Sequence, residues 1–423
     1  MPDLITSLLP QLTSYTIAGL NASPGAVYPA YDGYSLANFP ATVCNWLNLP
    51  PLAGVVMSPV YTAPFKNHYR RIVVLIVDGL GLSLFQHFLD QEPWKGWLPN
   101  AMLAPLTSVT PSTTTSALTT LWTGTTPVEH GILGYEMWLK EYGMIANMIQ
   151  QTPTAFYGDV GGLGRAGFNP QAFLPVTTLG HHLSSGGVSC FAFQPISIAR
   201  SGLSAMLLGG AEVVPYRNLS DLWVTLENLL DRQKDKPTCA VAYWGELDDL
   251  SHRYGPQDKR VRLEFETFSR TLQRFIEDRP GRADSDTLLV MLADHGQIDT
   301  PLNPHYELRR HPDLLADLVM VPSGENRLAY FFLRAGHEDH ARAYLERAWP
   351  DEFRISPAGD VLQAGLFGSG AVYARVPDRL GDWVVFPAGH AYFWWSDREN
   401  QMLGRHGGLS PQEMLVPFWA MEI

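Results

Sequence analysis

The feature that most constrains this chain is a pair of apolar, β-branched runs that each stop on metal-type side chains. Ile72-Val73-Val74-Leu75-Ile76-Val77 ends in Asp78-Gly79, and Leu288-Leu289-Val290-Met291-Leu292-Ala293 ends in Asp294-His295. A run without polar alternation is a strand covered on both faces, the condition of a parallel sheet flanked by helices. Val188 to Phe193 and Cys239 to Trp244 repeat the pattern. Helical stripes lie between the runs: Leu222, Leu226, Leu229 and Leu230, then Val261, Phe265, Phe268, Leu272, Phe275 and Ile276. Strands alternating with amphipathic helices predict a doubly wound, mostly parallel α/β sheet. Ligands in that architecture bind outside the carboxyl ends of the strands, so Asp78, Asp294 and His295 already mark a site.

Regular alternation begins at Arg71. Residues 1–68 are rich in Pro, Tyr, Gly and Ala, with one helix expected around Leu36 to Leu47, and read as an N-terminal extension packing on the main body. From 301 to 385 the pattern changes: Leu328 to Leu333 reads as a strand, His337 to Trp349 as a helix and Trp383 to Phe386 as a strand. This predicts a small α+β cap inserted into a catalytic domain made of residues 69–300 and 386–423.

Composition narrows the partners. With 46% apolar and 17% charged residues among 423, a sizeable core is expected. The net charge is −12 and no Lys/Arg run occurs, so neither an extended nucleic acid nor a membrane is an expected partner. A small phosphate ester would need local positive charge, which bound cations supply. Cys44, Cys190 and Cys239 are isolated and form no CxxC pair, which argues against a zinc ribbon or a disulfide framework. The N-terminus lacks a secretory pattern and no apolar run reaches about 18 residues, so a cytoplasmic location is expected. The oligomeric state is left open.

Four segments carry chemistry. The first is Val77-Asp78-Gly79. The second, Pro111 to Ala117, is hydroxyl-rich and opens a helix, which serves either as an N-cap cluster or as a nucleophile where backbone N–H groups favour a phosphoryl group. The third is Glu246-Leu247-Asp248-Asp249-Leu250-Ser251-His252; in a helix, Asp248 and His252 share a face one turn apart, as two ligands of one cation would. The fourth is Asp294-His295-Gly296, joined later by His406-Gly407-Gly408. The glycines there are expected to let backbone pass close to an ion or phosphate. Three Asp and three His with a hydroxyl suffice for two divalent cations, zinc first, with manganese or iron as alternatives.

In order and internal spacing these segments resemble the alkaline phosphatase superfamily, and specifically its nucleotide pyrophosphatase/phosphodiesterase branch. Thr110 to Gly124 with Pro127 and His130-Gly131-Ile132 is similar to the nucleophile segment, and Glu246 to Pro256 to the acidic "E-P-D-x-x-G-H" element. Asp294-His295-Gly296 and His406-Gly407-Gly408, with Glu413-Met414 and Pro417, resemble the last two motifs. The resemblance implies that Thr114 is the nucleophile and passes through a phosphothreonine. It implies one metal on Asp248, His252 and His406, and a second on Asp78, Asp294 and His295 with the Thr114 oxygen.

Two departures stand out. The branch commonly has Lys before its threonine and Asn three residues after it, where this chain has Thr113 and Ala117. The expected activity is hydrolysis of phosphodiester or pyrophosphate bonds in a small phosphorylated substrate, a nucleotide among the candidates, whose base would stack on Tyr135, Trp138 or Tyr157. The alternative is a phosphomonoesterase or phosphonate hydrolase using the same metals.

Overall fold

The computed structural model describes residues 4–20, 22–156, 158–279 and 286–423. Seven strands build the principal sheet, in the spatial order Ala101–Thr107, Leu415–Glu422, Thr287–Leu292, Arg71–Val77, Thr238–Trp244, Ser189–Pro195 and Glu212–Tyr216. Leu415–Glu422 runs antiparallel to both its neighbours, and the other neighbouring pairs are parallel. The chain thus forms the expected mostly parallel α/β sheet. Thr238–Trp244 and Thr287–Leu292 are buried at every position, as their unbroken apolar runs require.

Three strands of this sheet, Ala101–Thr107, Leu415–Glu422 and Glu212–Tyr216, escaped the sequence pattern, and a proline in each explains why. Ala101–Thr107 holds Pro105 and Leu415–Glu422 holds Pro417, and a strand proline normally marks an edge or a loop because it cannot donate to the ladder. Here Pro417 lies opposite Pro105, while pairing of Leu415–Glu422 with Thr287–Leu292 runs only from Phe418 to Glu422. The missing donor falls outside that ladder.

The helices follow their stripes. Leu219–Arg232 is capped by Asn218, whose side chain accepts from Asp221 N, and it buries Leu222, Leu226, Leu229 and Leu230. Lys259–Glu277 is capped by Asp258 and buries the predicted aromatic stripe. The two meet where Trp223 packs on Phe268 and Phe275, with ring centroids 5.7 and 5.3 Å away. Full burial of a leucine such as Leu226 contributes about 1.5–3 kcal/mol.

In the N-terminal stretch, the 3-10 turn Leu36–Asn38 leads into the helix Phe39–Trp46, where a helix was expected. Thr107 N donates to Tyr34 O, and Ala30 N donates to the Thr107 hydroxyl. No helix among the described residues is long and apolar enough to cross a membrane.

A second, wholly antiparallel sheet lies beside the site. Its order is Phe353–Pro357, Trp383–Pro387, Leu328–Phe331, Ser323–Glu325, Glu136–Leu139, Met144–Asn147 and Thr152–Pro153. It combines strands from the 301–385 stretch with strands from residues 136–153. The two halves join at one pairing, Gly324 with Glu136. That join brings Glu325, Tyr135 and Glu136 together.

Candidate active site

Strand register builds the site. Val77 pairs with Trp244 and Ile76 with Leu292, so three adjacent strands release the chain at one level. Asp78 N still donates to Trp244 O at 2.9 Å, one residue beyond its strand. After Trp244 the helix Glu246–Tyr254 begins, and it carries Asp248 and His252 on one face, with His252 Nε2 3.3 Å from Asp248 Oδ2. His406 arrives from far along the chain, with its Nε2 3.8 Å from Asp248 Oδ1.

Each histidine is turned by its backbone partner. His252 Nδ1 donates to Gly404 O at 2.9 Å, His295 Nδ1 to Gly296 O at 3.1 Å and His406 Nδ1 to Ser112 O at 3.0 Å. A carbonyl can only accept, so each Nδ1 carries the proton when the ring is neutral and each Nε2 presents a lone pair to the carboxylates. This is the arrangement by which outer partners orient metal-binding imidazoles.

The carboxylates show the same preparation. His295 Nε2 lies 3.3 Å from Asp78 Oδ1 and 3.5 Å from Asp294 Oδ2, and both oxygens are buried without a hydrogen-bond partner. Their sister oxygens are occupied: Tyr243 donates to Asp78 Oδ2, and His295 N donates to Asp294 Oδ1 at 3.0 Å. Buried oxygens left bare cost free energy unless a cation or proton meets them. Burial, with Asp294 and Asp248 nearby, pushes the Asp78 carboxyl well up, and burial raises Asp294 too. Burial also opposes charge on Asp248, but His252 and then His406 and His295 hold its carboxyl below the usual range. Burial, with His295 beside it, drives His406 well below the ordinary imidazole value.

Two groups of side chains can each hold a cation: Asp78, Asp294 and His295, and Asp248, His295 and His406. The first is the set the resemblance implied. In the second, His295 stands where the resemblance implied His252, which flanks Asp248 from the neighbouring helical turn.

Thr114 opens the helix Thr114–Thr123, in which every residue is buried. Its Oγ1 lies 3.1 Å from His295 Nε2. Thr113 occupies the N-cap position but makes no side-chain cap bond, so capping does not account for the hydroxyl cluster. Ser112 donates to Gly408 O at 2.7 Å and accepts from Gly407 N at 3.3 Å, stitching the Thr114 segment to the His406 loop.

The glycines serve chain packing rather than a ligand. A Cβ on Gly296 would collide with Gln412 O and the Gly81 backbone. One on Gly407, whose φ is +111°, would lie 2.5 Å from the Glu325 Cβ. His130, within the nucleophile motif, is a fully buried neutral ring: Ile132 N donates to its Nδ1 at 3.0 Å, and its Nε2 donates to the Thr120 hydroxyl at 3.0 Å. Burial, with Arg379 adding to it, lowers its pKa to about 3. The unfolded chain therefore takes up a proton near pH 6.5 that the folded chain refuses until about pH 3, so the stability this neutral ring contributes is lost as pH falls through that window. In urea unfolding, the stability gap between wild type and His130→Gln is expected to narrow by about 2 kcal/mol from pH 6.5 to pH 5.

A cavity of about 430 Å³ opens from Thr113, Thr114, Asp248, His252 and His406 toward the second sheet. Tyr135 lines it. Trp138 does not line it: it sits further along the strand Glu136–Leu139, paired with Ile145. Tyr157 lies outside the described residues. The aromatic wall comes instead from Trp394 and Trp395, with Glu136 and Glu325 beside them. Burial raises Glu136 and pushes Glu325 up to about 8.

None of these four residues, nor Tyr243 or Gln297, stood out in the sequence. Gln297 donates to Asp248 O at 3.1 Å and also to its carboxylate. The only trace of Gln297 was its place two residues after His295. The Tyr243 run read as plain buried strand.

Comparison with known proteins bears on the family and the fold. The family profile described as type I phosphodiesterase / nucleotide pyrophosphatase matches residues 72–409. No curated protein sequence matches the chain. Among solved structures, murine ectonucleotide pyrophosphatase / phosphodiesterase 5 superposes with a TM-score of 0.62 at 17% identity, covering 83% of this chain and 87% of that one. An inactive form of that murine protein has been solved with AMP, and it gives a TM-score of 0.62 at 16% identity over 83% of this chain and 87% of that one. Phosphonoacetate hydrolase from Sinorhizobium meliloti 1021, solved with phosphonoacetate, gives 0.61 at 16% identity, over 83% and 90%. At these identities the structural likeness speaks for the fold, while the profile match spans most of the chain. The chain belongs to the type I phosphodiesterase / nucleotide pyrophosphatase family.

Proposed function

We propose that the protein hydrolyses phosphodiester or pyrophosphate bonds with Thr114 as nucleophile, beside two divalent cations held by Asp78, Asp294, His295, Asp248, His252 and His406. The observation that carries this reading is the Thr114 hydroxyl, 3.1 Å from His295 Nε2, next to the bare oxygens of Asp78 and Asp294. When bound, such cations supply positive charge that lowers the pKa of a hydroxyl and offsets that of a phosphoryl group; zinc suits this donor set, as do manganese and iron.

The chain's own part is positioning. Thr114 Oγ attacks phosphorus, the alcohol or phosphate departs, and water then releases the phosphothreonine. Backbone N–H groups of the first turn of Thr114–Thr123 would receive the phosphoryl oxygens, at the helix end that favours anions. They take the place of the Asn side chain that the family resemblance leads one to expect where this chain has Ala117. The Nδ1 anchors hold each imidazole in place, so little reorganisation accompanies the step. A phosphonate or monoester substrate is the second reading, favoured by the likeness to a phosphonoacetate hydrolase.

Hydrolysis of bis-p-nitrophenyl phosphate and p-nitrophenyl phosphate, with elemental analysis of the same preparation, tests both readings. Diester turnover by protein carrying about two metals per chain is the expected result. A monoester preference moves the protein to the second reading. Asp294→Asn is expected to lower bound metal and turnover together, and a variant keeping both intact would remove Asp294 from the ligand set.

A further inference from the structure

Arg405 is a cation buried where no acid answers it. It is 1% exposed, and among the described residues no carboxylate oxygen lies within 4.0 Å of its nitrogens. Other buried guanidinium groups are paired: Arg327 meets Glu413 at 2.7 Å, and Arg379 meets Glu141 at 3.3 Å. Nη1 of Arg405 instead donates to the Thr300 hydroxyl at 2.6 Å and to Met402 O at 2.8 Å, and Nη2 donates to Asn400 Oδ1. The guanidinium carbon lies 3.7 Å from the ring centroid of Tyr392, whose hydroxyl accepts from Asn400 Nδ2 at 2.9 Å. An aromatic face and neutral acceptors offset only part of the desolvation of a buried charge, so an apolar side chain would fill this space more favourably. Stability alone does not account for an arginine here.

What the charge holds is a loop. Its planar fork gathers Asn400, Met402 and Thr300, and the backbone just before it grips His252 at two points. Leu403 N donates to His252 O at 2.7 Å, and Gly404 O accepts from His252 Nδ1 at 2.9 Å. A Cβ on Gly404 would lie 2.3 Å from Ser251 O, so this backbone presses directly on the helix that carries His252. The ladder of Gly404–Arg405 with Ile298–Asp299 is only two residues long, and such a short pairing holds a carbonyl weakly by itself. Resting on the two-cation reading above, we propose that Arg405 is a positioning residue of the metal centre. Its guanidinium pins residues 400–404, so that the Gly404 carbonyl fixes the His252 imidazole with Nε2 toward Asp248. Arg405 acts through His252 and takes no part in bond-making.

Zinc titration against a chromophoric chelator, on the full chain and its Arg405→Met and Arg405→Lys variants, reads the two cation affinities separately. In both variants one affinity is expected to fall by about 10–100-fold while the other stays within about threefold. Leu226→Ala, in the helix Leu219–Arg232, controls for lost stability and is expected to leave both affinities alone. Ring 15N NMR of the cation-free chains reads the pin without cation or substrate. His252 is expected to carry its proton on Nδ1 in the wild type and to move toward the Nε2–H form in the variants, with His295 unchanged. The proposal requires both the one affinity and the His252 ring to move; either left unmoved, or both affinities lowered alike, overturns it. Arg405→Lys keeps the buried charge but lacks the planar fork, so it carries the test if Arg405→Met does not fold. If the wild type binds no zinc, the two-cation reading fails and the His252 ring alone decides the pin. If zinc binds but bis-p-nitrophenyl phosphate is not cleaved, the hydrolase reading fails, and the affinities and the ring still decide Arg405.

Discussion

Thr114→Ala is expected to lower diester turnover by about 10³-fold or more while the protein keeps its metal. The expectation follows from position. Thr114 opens its helix, its hydroxyl touches His295 Nε2 at 3.1 Å, and the bare oxygens of Asp78 and Asp294 meet the same nitrogen. Removing one hydroxyl leaves those six Asp and His side chains in place, so elemental analysis should read the same for mutant and wild type. The flanking residues cannot substitute: Thr113 is extended at the N-cap with its hydroxyl beside Glu325, and Thr115, in the helix, points about 100° away from Thr114. Stopped-assay kinetics on bis-p-nitrophenyl phosphate decide the matter. Turnover that survives the substitution would leave Thr114 as a structural helix opener and move the nucleophile elsewhere.

The second large effect is on stability. Glu413→Gln is expected to cost about 3–5 kcal/mol, seen as a lower midpoint of urea unfolding. Glu413 is fully buried and takes Arg327 Nε at 2.7 Å and Nη2 at 2.9 Å in a two-pronged pair. It also accepts from Gly408 N at 2.9 Å and Ser410 N at 3.2 Å. Arg327 Nη1 in turn donates to Gly389 O and Ala391 O. One carboxylate therefore ties the second sheet to the turn just after His406. The substitution leaves a buried guanidinium unpaired, which is the costly outcome. Arg327→Met combined with Glu413→Leu removes both charges and is expected to recover more than half of the loss. A double variant as unstable as the single one would show that the backbone contacts of Glu413, and not its charge, hold the turn.

What could be read from the sequence was whatever depends on neighbours along the chain. The runs ending at Asp78 and Asp294 are buried on both faces, and that alone predicts parallel strands with their ends at a site. Asp248 and His252 share a face because four residues make about one helical turn. Helices fell near Leu36 to Leu47 and His337 to Trp349 because the residue pattern along a helix is a local signal. The strand Leu415–Glu422 was missed for a local reason too, since Pro417 reads as a breaker until Pro105 is found opposite it.

The rest was decided by contacts between distant segments, which carry no periodicity to read. The Ser323–Glu325 and Glu136–Leu139 strands join through one pairing, and only that join sets Glu325, Glu136 and Tyr135 around the cavity. Trp394 and Trp395 sit in a loop, where apolar residues have no pattern to betray the surface they face. The orientation of each imidazole likewise depends on carbonyls of Gly404, Gly296 and Ser112, two of them far away in sequence from the ring they hold. The sequence by itself determined the parallel core of the sheet, the hydroxyl-bearing helix, and the places of Asp78, Asp294 and His295 at strand ends and of Asp248 and His252 on one helical face, because strand ends and helical turns place those groups locally. Tertiary structure alone decided which carboxylate oxygens are left bare and what faces the nucleophile across the cavity, because both are set by packing between segments that meet only once the chain is folded.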